Sequence, residues 1–564
     1  VLLLVILVSV NWFANTSQIR LDLTATQQFT VSPVTTRLLS QIDDIITVNV
    51  YATRRNTPPD WTRQREELIA LLSEYRRLSG GRLNFTIKDP ASDPKIEQEA
   101  RNAGVQEEVM QDVTMQEIRA RAGYLGLQVL YRGKSETIPV LQPAVPIEYQ
   151  LTRAIGRVAS LNNPVIGILA PQGNPFMNEP GFYQLIGRAL DIEGFQSRIL
   201  DPEKLGDISR PNTDVRMVMV FDPEDFSEEA LFHIDQFVMN GGKLFVAAQG
   251  VKLEGTGRVP RAVSRAPNIQ SILEHYGLRL NQDIVEDWGR GTEQQFLTNR
   301  GIVSTINPFI LRVTDLGPSS VDIEAMDPGT SPSRRANRSI PQVETGSPIT
   351  DQLPALAFLF SSTVGLSDVG TSASVQVLAR SSARTRIQEG FFNLDQSRLR
   401  PPAEGSSDLG RRDLIVSVSA TEQNRLRSRF AVVDPPVLTN DDGTTRAVLT
   451  SEIRTESAPS AQVIVASATL PFMDNILQQA PSNLFLLLNM ADVLTRDGSM
   501  VNLRNRSQVF PSLRPDISER EITIAHFVVI GVVPVLLLLF GILRSVWGRI
   551  VRSHHRRVYG GSSS

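Results

Sequence analysis

The chain of 564 residues contains no cysteine. That single absence removes disulfides, thiolate zinc sites, iron–sulfur clusters and every cysteine nucleophile. Histidine is nearly as scarce, with five residues and no His-x-x-x-His pair. His554 and His555 close the chain, His526 sits in an apolar run, and His233 and His275 read as structural or surface residues. Lysine supplies only six of the 57 basic residues. There is no G-x-x-x-x-G-K-[ST] segment to cradle nucleotide phosphates and no G-x-S-x-G elbow. Gly255 and Gly257 begin a G-x-G-x-x-G pattern that Pro260 breaks. Gly241-Gly242-Lys243 resembles the tail of a phosphate loop, but no Ser or Thr follows, so it reads as a turn into a strand. The net charge of −3 excludes a global electrostatic case for nucleic acid.

Two apolar stretches are present, one toward each end. Residues 1–10 read VLLLVILVSV, and residues 522–543 read ITIAHFVVIGVVPVLLLLFGIL. The second carries no Asp, Glu, Lys or Arg; its 22 residues, helical, reach about 33 Å, enough to cross a hydrocarbon core of about 30 Å. Arg544, Arg549, Arg552, Arg556 and Arg557 follow it, so the positive-inside rule expects residues 544–564 in the cytoplasm and the body outside. The first stretch is shorter than a span, and Asn11-Trp12-Phe13 resembles an interfacial belt. A retained span that begins before Val1 is expected over residues 1–13, with a cleavable signal peptide as its alternative.

Between the stretches the pattern is that of folded α/β protein. Residues 14–162 contain strand-like runs at 45–52, 83–88, 124–131 and 136–141, and helical spacing at 34–40, 61–78, 94–103 and 147–161. Ser32-Pro33 is a helix-start signal. Residues 163–330 open with VIGILA, a wholly apolar run suited to a buried parallel strand. Helix 182–193, strands 197–200 and 215–221, helix 228–239 capped by Ser227, and strand 243–248 then follow. This alternation predicts a doubly wound sheet. Residues 331–500 return to strands at 356–360, 375–379, 414–418, 430–433 and 463–466, with loops at 327–349 and 395–407 and a helix at 483–494. Residues 501–521 form a linker to the final apolar stretch.

The search for a catalytic or metal site yields none. Asp441-Asp442-Gly443 lacks the alternating carboxylates of a calcium loop and reads as a turn. Glu107-Glu108 and Glu228-Glu229 read as solvated helix surface. Asp222 and Glu224 follow strand 215–221, where acids of a doubly wound sheet are placed for chemistry. They are the basis of one alternative, a membrane-anchored cell-envelope hydrolase; a passive scaffold or adhesin is another.

Several segments in order resemble one family. They are Arg20-Leu21-Asp22-Leu23-Thr24 with Phe29-Thr30-Val31-Ser32 and Thr35; Leu71-Leu72-Ser73-Glu74-Tyr75 running into Ile87-Lys88-Asp89-Pro90; Glu148 with Leu151-Thr152-Arg153-Ala154-Ile155; and Ile234-Asp235-Gln236-Phe237-Val238 with Gly241-Gly242-Lys243-Leu244. Placed between two apolar stretches, they resemble the GldG-like auxiliary, extracytoplasmic component of a gliding-motility-type ABC transporter. The resemblance implies tandem extracytoplasmic α/β domains, the second glutamine-amidotransferase-like. It also implies an accessory subunit in the bacterial cell membrane that is not an enzyme and takes no cofactor. The expected partners are an ABC-2-type permease, a separate ATPase and the bilayer, with both termini cytoplasmic and more than one copy per complex allowed. Without cysteine, amidotransferase chemistry is excluded. Residues 463–472 read VIVASATLPF, without the acids that members of the family often carry there.

Overall fold

The computed structural model describes residues 31–504, with the main breaks at 114–117, 172–182, 255–260, 317–346, 368–372 and 440–443 and a few shorter ones. Both apolar stretches lie outside the described residues. Among the described residues no helix is long and apolar enough to cross a membrane. Chain contacts separate residues 1–508 from 509–564, and everything below belongs to the first unit.

The first sheet is built from β1 (Ile46–Ala52), β2 (Leu83–Lys88), β3 (Glu107–Val113), β4 (Ile118–Tyr131) and β5 (Lys134–Ile138), in the order β2-β1-β4-β3 with β5 also on β4. β1 runs parallel to β2 and antiparallel to β4, with Val48 opposite both Phe85 and Val129. Helices α1 (Pro33–Gln41), α2 (Pro59–Leu78) and α4 (Ile147–Ala159) share one core with this sheet. Their buried residues recur at helical spacing: Leu68, Leu72 and Tyr75 on α2, and Leu151, Ile155 and Val158 on α4. Helix α3 (Pro94–Asn102) buries Ala100 in a separate cluster with Tyr51 and Tyr124. Glu107 and Glu108, expected on a helix surface, instead open strand β3 against Tyr124 and Gly123. The long partner strand β4 overrides a segment without apolar alternation of its own.

The second sheet has seven strands. Its parallel part is β7 (Gln196–Ile199), β6 (Val165–Leu169), β8 (Val215–Phe221), β9 (Lys243–Ala247) and the strand Gln462–Ala466, side by side in that order. Asp413–Ser419 and Ser374–Arg380 extend it antiparallel. Strands from before and after residue 330 thus pair in one sheet. Helix α6 (Glu228–Met239) packs on one face, and α5 (Gln184–Ile192) with α7 (Pro481–Thr495) on the other. The strand β8 serves both: Val218 and Val220 face the α6 side, Met217, Met219 and Phe221 the α5 side. The protein is therefore a mixed α/β protein with several sheets. One expected strand is corrected: residues 429–431 form a short 3-10 turn, because the Ser428 hydroxyl accepts from the Phe430 amide at 3.0 Å.

Candidate functional site

Helix α4 joins the two sheets, and each of its two polar edges carries a network of polar contacts. On one edge stand Glu148 and Thr152, four residues apart and therefore stacked on one face. Glu148 Oε1 accepts from the Ser32 amide at 2.6 Å and from the Thr35 hydroxyl at 2.9 Å. The Thr152 hydroxyl meets those of Thr35 (2.9 Å) and Tyr75 (2.6 Å). Ser32 also caps α1 by accepting from the Thr35 amide at 3.1 Å. Three of the sequence segments singled out above thus converge on one buried network at the entry of the chain into the body.

On the other edge stand Tyr149, Arg153 and Arg157. They face the carboxyl end of α5, where Gly194 turns the chain at a φ of +80°. A Cβ there would stand 3.0 Å from Arg157 Cγ, so both backbone and space demand glycine. Arg157 donates to the Ile192 carbonyl at 3.3 Å and pairs with Glu136 at 2.6 Å. Arg496 donates to the carbonyls of Glu193 (3.3 Å) and Gly194 (2.7 Å), and its guanidinium lies 3.9 Å from the centre of the Phe195 ring. These cations meet the negative end of the helix.

The Glu193 carboxylate is the hub. It accepts from the Tyr149 hydroxyl, from Arg153 at 3.2 Å and from Arg504 at 3.1 Å. Arg504, 3% exposed, spends its other donors on Asn489 of α7 at 2.7 Å and on the Tyr149 oxygen at 3.0 Å. Burial pushes the Glu193 carboxyl upward, but Arg504 and Arg153 outweigh it and hold the group below the usual glutamate range. Burial opposes the charge of Arg504 too, yet Tyr149, Glu193 and Asp492 hold it above the ordinary arginine value. Asp492, ion-paired with Arg496 at 3.7 Å, is raised by burial. Three regions far apart in sequence, α4, the end of α5 and residues 489–504, thereby meet at one junction, beside a cleft of about 180 Å³.

The other candidates are accounted for locally. Asp222 stands at the carboxyl end of β8 with a φ of +42°, and its carboxylate is taken by Arg265 at 2.9 Å. Glu224 and the Asp441-Asp442 turn lie outside the described residues. Asp283, Glu286 and Asp287 share one buried strand, and each is satisfied: Thr363 bonds the first, Arg386 the second, Ser382 the third. Among the described residues no group of acids and histidines could hold a metal ion. His233 bonds Ser209 at 2.9 Å, and His275 bonds the Ser271 carbonyl at 2.9 Å. Gly241, at a φ of +94°, turns the chain into β9, and Lys243 bonds the Ser460 carbonyl.

Among the described residues, the body is a mixed α/β fold in which Ser32, Thr35 and Arg504 are all held to helix α4, with no catalytic or metal cluster. The chain belongs to the family described as ABC-type uncharacterized transport system, the auxiliary component of ABC transport, whose model matches residues 163–489. Residues 25–129 match a domain of unknown function (DUF7088). An uncharacterized protein of Borreliella burgdorferi is 20% identical over 531 residues, covering 93% of this chain and 92% of that protein. Among solved structures, the mmIFT52 N-terminal domain is 14% identical, covers 59% of this chain and 97% of its own, and superposes with a TM-score of 0.30.

Proposed function

We propose that the chain is a non-ATPase, extracytoplasmic subunit of a GldG-like, gliding-motility-type ABC transporter. In this reading residues 1–13 and 522–543 are membrane anchors and both termini are cytoplasmic. Residues 14–162 and 163–330 form tandem α/β domains, the second amidotransferase-like and completed by residues 331–500. The partners are an ABC-2-type permease and a separate ATPase, with room for more than one copy. Membership of the transport family supports the accessory role. The observation that carries the coupling is the double clamp on α4. Ser32 and Thr35, soon after one apolar stretch, bond Glu148, and Arg504, soon before the other, bonds the Tyr149 oxygen, on adjacent edges of the same helix. Displacement of either anchor relative to the other loads that helix, and with it the joint between the domains.

The cysteine-free chain offers a clean background for the test. Cysteine is placed singly at Ser40, exposed on α1, and at Ser553 in the basic tail. A membrane-impermeant maleimide applied to spheroplasts is expected to label Ser40→Cys before lysis and Ser553→Cys only after it. The reverse order would discard the orientation. Purification in mild detergent is expected to bring down a permease and an ATPase, and their joint absence would discard the accessory reading.

A further inference from the structure

Most edges of the two large sheets are guarded against pairing. At β7 the Asp191 carboxylate takes the outward Ser197 amide at 2.8 Å. Ser374–Arg380 breaks register twice and bridges to Asp315. β3 and β5, both paired to β4, carry Glu107, Glu108, Asp112, Lys134 and Glu136. Occupied amides, bulges and charges are the devices that keep strand edges from joining other chains. The edge strand β2 is different. Its six residues, LNFTIK, run parallel to β1 in unbroken register. The Ile46 amide donates to the Arg82 carbonyl at 2.8 Å, so residues 84, 86 and 88 turn their backbone groups to β1 and residues 83, 85 and 87 turn theirs outward. Ser79 Oγ covers the Leu83 amide at 3.0 Å, but the outward groups of Phe85 and Ile87 meet no strand among the described residues. Lys88, the strand's one charge, is drawn back to Glu99 of α3.

We propose that β2 pairs antiparallel with β2 of a second copy of this chain, across a two-fold axis at Thr86, joining two five-stranded sheets into one. The strand is complementary to itself in this register. Phe85 stands opposite Ile87 of the second copy, and the reverse, and each such couple exchanges a pair of backbone hydrogen bonds. Both side chains are half-buried on the face that packs against the α1, α2 and α4 core. Each aromatic–β-branched couple therefore extends that core across the axis. On the other face Thr86 meets Thr86 and Lys88 meets Asn84, so no like charges stand opposite. The register centred on Phe85 would instead set Arg82 against Lys88, which charge disfavours. The axis passes through the sheet, so α1, α2 and α4 of both copies lie on one face. Both chain entries at Ser32 then share a side, as two chains in one bilayer require; this last point rests on the anchoring proposed above. A six-residue strand is about 20 Å long, and such an edge buries less than the roughly 800 Å² per partner of a standard interface. The pairing is therefore expected in membranes, where confinement raises the local concentration.

The absence of cysteine makes the register readable in membranes of cells that express the full chain. Thr86→Cys places two thiols in a non-hydrogen-bonded antiparallel couple, with Cα atoms about 4.5 Å apart and within disulfide reach. Mild oxidation is expected to link two copies at least tenfold faster than with Ser73→Cys, exposed on α2. Asn84→Cys and Lys88→Cys, each slow alone, are expected to crosslink when co-expressed. Thr86→Lys sets two ammonium groups against each other at an exposed position. Added to that couple, it is expected to slow the crosslink at least tenfold and to leave the melting temperature unchanged. Equal rates for Thr86→Cys and Ser73→Cys, a crosslink insensitive to Thr86→Lys, or a Thr86→Cys disulfide to a different protein overturns the proposal. Neither permease nor ATPase is read in these measurements, so such a failure leaves the accessory-subunit reading standing.

Discussion

Asp235 takes a carboxylate into the core on one face of the seven-stranded sheet, fully buried, with Ser428 (2.6 Å), Tyr276 (2.8 Å) and Gln236 (3.0 Å) as its donors. Burial pushes it from 3.8 up to about 6, against the pull of those hydrogen bonds. The folded chain therefore holds this proton more tightly than the unfolded chain between those values. Its contribution to stability is greatest below the lower value and declines as pH rises through the window. The whole difference corresponds to about 3 kcal/mol. Asp283, likewise raised by burial to about 6, runs in the same direction. Glu193 runs the other way, and its contribution is lost only as pH falls below the ordinary glutamate range. Urea midpoints at pH 5 and pH 7 are expected to differ less in Asp235→Asn than in the parent chain. The sequence carried a sign of this residue, since Asp235 lies in one of the recognised segments. It gave no sign of the partners, which arrive from 41 and 193 residues away.

Helices and strands meet at the α4 junction, and charge removed there is felt by several elements together. Glu193→Gln leaves the buried guanidinium of Arg504 and the partly exposed one of Arg153 without their carboxylate, and a loss of about 3–5 kcal/mol is expected in chemical denaturation. Removing both ends, with Glu193→Leu and Arg504→Met, is expected to recover part of that loss, because the fully buried guanidinium is removed with its partner and only the partly exposed Arg153 is left without the carboxylate. An additive double variant would mean that the pair does not interact. Elements with strong local signals were legible in the sequence: Ser227 accepts from the Ala230 amide at 3.1 Å as a helix cap should, and the apolar spacing of α2 and α4 matches their buried faces. Elements set by distant partners were not. The strand β3 follows from pairing with β4, and the turn at 429–431 follows from Ser428 and from Phe430 packed edge-on against Phe232. The site divides along the same line. The segments that meet at Ser32, Tyr75 and Thr152 stood out as motifs, whereas Glu193 and Arg504, 311 residues apart, share no pattern that sequence alone could join.

The seven-stranded sheet depends on a late strand. Gln462–Ala466 lies between β9 and Asp413–Ser419, hydrogen-bonded to both, and Val463, Ile464 and Val465 are fully buried. Until residue 466 is made, β9 presents an open apolar edge, the kind of surface on which chains aggregate. A chain stopped after residue 455 is expected to pellet in ultracentrifugation under detergent conditions that keep the full chain in solution. A truncated chain that stays monodisperse would show that the earlier strands close by themselves. The long separation between partners also sets folding order: the first sheet, closed within residues 46–138, needs nothing from the second half.

Arg504 gives the exit of the chain a mechanical character. Traction along the residues that follow it falls first on a side chain held by Glu193, Asn489 and Tyr149, on three different segments. The pull is divided at a single post before it can unravel α7 from its last turn. Under the proposed anchoring, a tug from beyond the body would pass through this one side chain to Tyr149 of α4 and to Glu193 at the end of α5, in the manner of a lever arm.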